Sequence, residues 1–314
     1  MSALLDVILP VFLLIGFGYV AARMGWFGDG MVDGVMRFAQ NFAVPCLLFK
    51  SIAGLDLSTA YDPGLLFAFY AGAFVAFAIG MATSHLAFHR SPEESIAIGF
   101  CCLFSNSLLL GLPITERAYG ADALSGNYAI ISMHAPLLYG FGITLMELVK
   151  SRGQGKSPGV LTRQVLRAIF SQSLVIGILA GLLMNLSGLK QPASFTAAID
   201  MMAQTGIPVA LFGLGGVLKR YSIQGDLGLI ALVCAASLLV HPTVTYGLAR
   251  FGMHLDVAGL RSATITSAMP PGVNAYLFAH LYGTGQKVAA ASVLAATALT
   301  ILTAWGWLHL LPQG

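Results

Sequence analysis

Polar side chains are scarce in this sequence, so those buried in apolar runs are the ones whose chemistry calls for explanation. The stretch SAMPPGVNAYLFAH, Ser267 to His280, sets Pro270, Pro271, Gly272 and Asn274 in the middle of an apolar segment. A second stretch, FCCLFSNSLLLGLPITERAYG from Phe100, carries Ser105, Asn106, Gly111 and Pro113 in a similar setting. Proline inside a helix removes a backbone donor and costs about 3 kcal/mol or more. In hydrocarbon the freed amides and carbonyls need partners, so a broken helix survives only inside protein or beside a cavity. Half-helices that meet at such breaks offer N-terminal amides and partial positive charge, which suit an anion. Asn106 and Asn274 would add neutral amide donors, and no Arg or Lys lies near the middle of any apolar segment. The chemistry implied is reversible anion binding by amides and helix ends.

Other polar residues join these as binding candidates. Gln40 and Asn41 precede Pro45, and Gln204 and Thr205 precede Pro208, so two related places could supply one site. The alternative is hydrogen bonding between helices. His134 can hold a carboxylate when charged or relay a proton near neutral pH. His241, followed by Pro242, fits a kink as well as a site. Lys50 reads as snorkelling to an interface, and Asp6 and Asp200, near segment ends, read as solvated rather than cation-binding. The GLGG run at 213–216 lacks the Lys-Ser or Lys-Thr of a phosphate loop and reads as close helix packing. No HExxH, GxSxG or Walker sequence is present, and Ser132 and His134 point in different directions on a helix. No enzyme, cofactor or metal site is expected. The four cysteines read as small core residues, not a disulfide framework.

The elements that must position these residues follow from composition. Of 314 residues, 57% are hydrophobic and 9% charged, against about 25% charged in an average soluble domain. This is the balance of an all-α integral membrane protein. A span needs about 20 apolar residues, and turn or charge clusters leave ten such segments, near 4–23, 33–54, 64–88, 94–118, 126–149, 167–187, 195–218, 227–249, 258–282 and 287–311. Asp6 stands where a secretory leader would be basic, so the first segment reads as a span. With the N-terminus outside, eleven of the 16 Lys and Arg fall on the cytoplasmic side, as the positive-inside tendency requires. Both termini then face the periplasm or exterior. The basic stretch between the fifth and sixth segments divides the chain into 1–149, a linker at 150–166, and 167–314. Five spans on each side force the two parts to enter the membrane in opposite directions, the requirement of an inverted repeat. A constant offset of 163 residues pairs Gly18 with Gly181, Gly25 with Gly188, and PCLLF from Pro45 with PVALF from Pro208. It also pairs the two broken segments.

Four motifs in order, FAVPCLLFKSIAG, FSNSLLLGLPITERAYG, GIPVALFGLGG and MPPGVNAYLFA, resemble the auxin efflux carrier family, whose bacterial members include malonate and malate permeases. The resemblance covers essentially the whole chain. It implies ten spans in two inverted five-helix repeats, with broken spans 4 and 9 crossing at their prolines. It also implies scaffold and transporter parts, a homodimer, and an elevator-type motion. By the same resemblance Asn106 is the crossover asparagine near the substrate carboxylate, with Pro113 following it, and Pro271 and Gly272 match the second break. Tyr139 and Glu147, eight residues apart, match a family pair and place His134 where plant carriers have glutamine. Gln204 and Thr205 would come from span 7. The third segment holds no charge before His85, where plant carriers have an Asp and a Lys, and the long plant loop is missing. Both departures weigh against auxin itself.

The expectation is a multi-pass inner-membrane secondary transporter of a small organic anion, a dicarboxylate or an auxin-like acid. H+ or Na+ would be the coupling ion, lipid and a second copy the other partners, and nucleic acid no partner. Two alternatives stand beside it: a sodium-coupled symporter of bile-acid-like anions with a related fold, and a receptor or channel that transports nothing.

Overall fold

The structure, a computed structural model, describes residues 3–150, 158–170 and 172–312. All its regular elements among those residues are helical: α1 (3–23), α2 (29–53), the one-turn α3 (Leu57–Ala60), α4 (Pro63–Leu86), α5 (Pro92–Leu103), α6 (107–119) and α7 (Ala121–Lys150). The second part holds α8 (Pro158–Phe170), α9 (Ser173–Ser187), α10 (Ala193–Lys219), α11 (Leu227–Gly252), α12 (Val257–Ser267), α13 (Val273–Tyr282) and α14 (Gln286–Leu310). Six of them, α1, α4, α7, α10, α11 and α14, are long and apolar enough to cross a membrane. The two expected breaks are present, between α5 and α6 and between α12 and α13. The linker expected at 150–166 is in part helical, since α8 begins at Pro158; its residues 151–157, with Arg152 and Lys156, lie outside the described residues.

Loops end where the sequence supplies caps. Asp62, Ser91, Asp226 and Asp256 accept first-turn amides of α4, α5, α11 and α12, each such cap contributing about 1 kcal/mol. Gly188 and Gly283 close α9 and α13 at φ 64° and 69°, a conformation that suits glycine. Four prolines, unlike Pro136 and Pro208 inside α7 and α10, are absorbed in a common way. Pro10, Pro45, Pro113 and Pro242 each open an α-helical stretch that directly follows a π-helical turn. The wider turn leaves room for a ring whose nitrogen cannot donate.

The helices sort into two sets by what they touch. In the first, α1 packs on α10, α9 on α2, and α10 on α2. In the second, α4 packs on α5, α11 and α12, α7 on α5 and α12, and α14 on α11 and α13. Glycine permits the closest approaches in the first set. A Cβ on Gly18 would strike the Phe212 backbone, one on Gly215 would strike Ile15 and Tyr19, and one on Gly181 would strike Phe49. The offset of 163 relates these contacts: Gly18 faces α10 beside Gly215, and Gly181 faces α2 beside Ile52. At the α10 terminus Arg220 binds the carboxylates of Asp29 and Asp33 at 3.1 and 2.6 Å, fastening it to the start of α2. At the other end Lys50 does not reach out alone, and Asp200 is not merely solvated: the two form an ion pair at 2.8 Å.

Gly18→Val should therefore lower the unfolding temperature in detergent sharply, overpacking costing about 1–3 kcal/mol or more. Gly16→Val, with no neighbour within 4 Å, should leave it unchanged or slightly higher. Equal melting of the two variants would show that the α1–α10 contact is not tight.

Candidate functional site

The site is built where the two breaks meet. The Asn106 amide donates to the Pro270 carbonyl at 2.7 Å, and the Gly272 amide donates to the Phe104 carbonyl at 3.0 Å. Ser105 and Pro271 thus form an isolated antiparallel bridge inside an otherwise helical protein. Each break supplies the partners that the other lacks, so neither leaves these backbone groups orphaned in the apolar core. Behind them Asn127 of α7 donates to Thr115 of α6 at 3.1 Å and to Thr266 of α12 at 2.8 Å. These bonds hold a half-helix from each side of the break against one long helix. Pro113 is not itself a break: the chain bends at Ser105–Asn106, and Pro113 sits in the resumed helix after a π turn.

Helices α6 and α13 both start at this junction. Their N-cap residues Asn106 and Gly272 make no side-chain cap bond, so first-turn amides are left for another acceptor. Beside them lies a cavity of about 480 Å³. One wall comes from the first helix set, through Gln40, Asn41, Val44 and Leu48 of α2 and Ser173 to Ile178 of α9. The other comes from the second set, through the junction itself, Ile131 to Ile143 of α7, and α13.

Six expected residues line this one cavity: Gln40, Asn41, Asn106, His134, Tyr139 and Asn274. Asn106 is 8% exposed and His134 5%. The His134 ring meets the Ser105 backbone and lies edge-on to Phe104 at 4.6 Å between centroids. Tyr139 donates to the Asn274 carbonyl at 3.3 Å, which leaves the Asn274 side chain beside the α13 N-terminus. Asn41 accepts from Ser173 at 3.2 Å. Pro270 and Pro271 are buried in the junction, and Gly272 is part of the lining.

Gln204 and Thr205 stand apart. Gln204 lines a different cavity with Lys50, Pro113 and Arg117, and Thr205 turns back to the Met202 carbonyl at 2.7 Å. Between the two cavities lies one apolar cluster: Leu48, Leu109 and Ile131 face the central one, while Leu47, Leu124 and Ile207 face the other. His241 is also off the lining, stacked behind Phe69, whose ring is 5.1 Å from it and 5.7 Å from His134. Sequence reasoning named Ser105 only as part of the broken segment and missed Ser107, Gln172 and Ser173; all four are on the lining. The SNS tripeptide around Asn106 carried the signal for the first two, whose hydroxyls are 2.7 Å apart.

No group of three or more His, Cys, Asp or Glu that could hold a metal occurs among the described residues. What the arrangement offers is amide, hydroxyl and imidazole groups facing a mostly apolar chamber.

Comparison with known proteins places this geometry. Over its full length the chain is 23% identical, across 314 residues and 98% of the relative, to the "Putative malonate transporter" of Rhizobium meliloti (strain 1021). It is 22% identical over 308 residues, 96% of both chains, to the "Uncharacterized transporter YfdV" of Escherichia coli (strain K12). It is 27% identical over 260 residues, 77% of this chain and 29% of the relative, to the mouse "Lysosomal cholesterol signaling protein". Residues 3–308 match the family described as "Membrane transport protein", so the chain, with its paired helix breaks and enclosed polar junction, belongs to the membrane transport protein family that includes the auxin efflux carriers.

Proposed function

We propose that the chain is a secondary transporter of organic anions that binds its substrate at the junction of the two breaks. The observation that carries this is the convergence of two uncapped helix N-termini, Asn106, Asn274 and the buried His134 on one cavity. Such groups stabilise a carboxylate without a fixed cation. The cavity wall is shared between the two helix sets, so sliding one against the other would carry the junction past α2 and α9. That motion is the elevator-type alternating access proposed here. The related glycine contacts of α1 with α10 and α9 with α2 support the inverted-repeat reading, with α5–α6 and α12–α13 as crossing broken spans. Gln204 and Thr205 enter this proposal as lining for the opposite state, when the apolar cluster between the cavities has parted.

The lining also bears on the substrate. A volume of about 480 Å³ falls in the roughly 300–1,000 Å³ range of pockets that enclose drug-sized ligands. It is more than a three-carbon diacid fills. Away from the junction the wall is Val44, Leu48, Leu109, Ile131, Ile178 and Leu277. An acid with one charged head at the junction and an apolar body suits this better than malonate. A sterol-like anion moved with sodium is the second reading, favoured by the same apolar wall.

In a thermal-shift series, indole-3-acetate and longer apolar monocarboxylates should stabilise the wild type more than malonate does. Asn106→Ala should weaken that stabilisation tenfold or more in ligand concentration, a lost bond to a charged group being worth about 1.5–3 kcal/mol. Equal ligand response in a folded Asn106→Ala variant would remove the junction as the site. Filling the apolar end by Ile131→Trp should abolish the response to the longer acids while leaving the response to acetate or malonate. Sodium-dependent stabilisation by a bile acid alone would favour the second reading. Saturable counterflow of the stabilising acid in proteoliposomes checks transport itself, since a receptor gives none.

A further inference from the structure

Next to the central cavity lies a second chamber of about 500 Å³, between the N-terminal part of α2, the end of α10, and α13 and α14. The two share Gln40, Val273 and Leu277 as lining, so they adjoin along these side chains. On the opposite side the central cavity meets the packed apolar cluster described above. The chamber past Gln40 thus adjoins the junction cavity on the side away from that cluster.

Its charges are unevenly committed. Arg37, Arg220, Lys287 and Asp33 line it. Arg220 is held by Asp29 and Asp33, whose carboxylates it occupies. Arg37 reaches only the Asp33 carbonyl, at 3.3 Å. Among the described residues neither Arg37 nor Lys287 has a carboxylate partner; with Arg220 set against both Asp29 and Asp33, three cations face two carboxylates, and the chamber keeps a net positive charge at the approach to the neck. The chamber beyond the apolar cluster differs: there Lys50 is paired with Asp200 at 2.8 Å, and Arg117 donates to the Asp6 carbonyl at 2.6 and 3.0 Å. Low-dielectric walls focus such a field and raise the local concentration of the opposite charge.

We infer that this chamber is a capture site for organic anions, in which Arg37 and Lys287 collect carboxylates or sulfonates from solvent and deliver them to the neck of Gln40, Val273 and Leu277. The inference rests on the transport reading for its purpose, but anion capture can be tested without a known substrate. Ala290 lines the chamber one turn from Lys287. A cysteine is placed there, in a Cys46→Ala background because the other three cysteines are buried, and the protein is purified in detergent. The probes are methanethiosulfonates of similar size carrying a sulfonate, a trimethylammonium or no charge.

At low ionic strength the sulfonate should react about ten times faster than the trimethylammonium reagent, in the range expected for a focused field. Arg37→Gln with Lys287→Gln should bring the ratio near one, whereas Arg37→Lys with Lys287→Arg should preserve it. The neutral reagent, reacting alike in all variants, shows that the chamber has kept its shape. About 1 M salt should erase the preference in the unsubstituted pair, because the screening length falls to about 3 Å; this arm needs no variant to fold. A ratio near one in the starting protein, or one that neither neutralisation nor salt moves, overturns the inference. The transport reading fails separately: if no acid stabilises the wild type while the sulfonate preference stands, capture is upheld and transport at the junction is not. If acids bind at the junction and the preference is missing, the reverse holds.

Discussion

A helix interrupted inside an apolar core must find partners for the backbone groups it frees, and everything around the candidate site follows from how that demand is met. Neither break is repaired by a capping side chain of its own. The Asn106 and Gly272 amides are satisfied by carbonyls of the opposite break, Pro270 and Phe104. Two half-structures that could not exist separately become one junction. The exchange fixes α6 and α13 so that both start at the same place, and it turns a backbone liability into a pair of convergent positive helix ends. The Asn127 bonds to Thr115 and Thr266 then lock the half-helices from behind. The junction is rigid within the second helix set and is only one wall of the cavity.

The other wall belongs to helices held together in a different manner. Around α1, α2, α9 and α10 the contacts are glycine against backbone, the means by which apolar helices associate when burying more apolar surface yields nothing. The two ion-pair groups there, Arg220 with Asp29 and Asp33 and Lys50 with Asp200, lie toward opposite ends of these helices. Between the two sets the contact at the cavity is aliphatic, through the cluster around Leu48, Leu109 and Ile131, with polar contacts beside it, Arg117 of α6 on the Asp6 carbonyl of α1 and Tyr128 of α7 with Ser51 of α2. A boundary with an aliphatic centre and few polar bonds can part and re-form at small cost, which suits a surface along which the sets would move.

How much of this was legible in the sequence depends on whether the signal was local. The breaks were, because Asn, Pro and Gly in an apolar run are costly wherever the chain goes, and the sites of Asn106 and Pro270–Gly272 could be read directly. Gln40, Asn41, His134 and Tyr139 were found for a similar reason, since polar groups in apolar segments need a purpose. Pro113 misled: proline breaks an ideal helix, but a preceding π turn lets the helix continue, and nothing in the residue types announces that turn. Gln204 and Thr205 do not join the junction residues in this conformation. They are related to Gln40 and Asn41 by sequence offset, but one conformation need not treat related residues alike, and here Gln204 faces a chamber that the apolar cluster seals from the junction. The partners of Arg220 were beyond reach, as Asp29 and Asp33 stand more than 180 residues away.

The placement of charge carries the last step. A cation at the junction would hold a carboxylate strongly, yet its desolvation among apolar walls costs several kcal/mol, and an ion pair formed there would have to be broken at each release. Amides and helix ends avoid both costs, because their partial charges are fixed by the fold and need no counter-ion. Such a site binds weakly, and weak binding demands a high local concentration. Cations set in the hydrated chamber past Gln40 keep their solvation and act through the field, the one way a permanent charge can help without becoming part of what must be released. On the transport reading, separating capture from binding in this way lets affinity at the junction be set by the apolar body of the solute, and the rate of arrival by the vestibule.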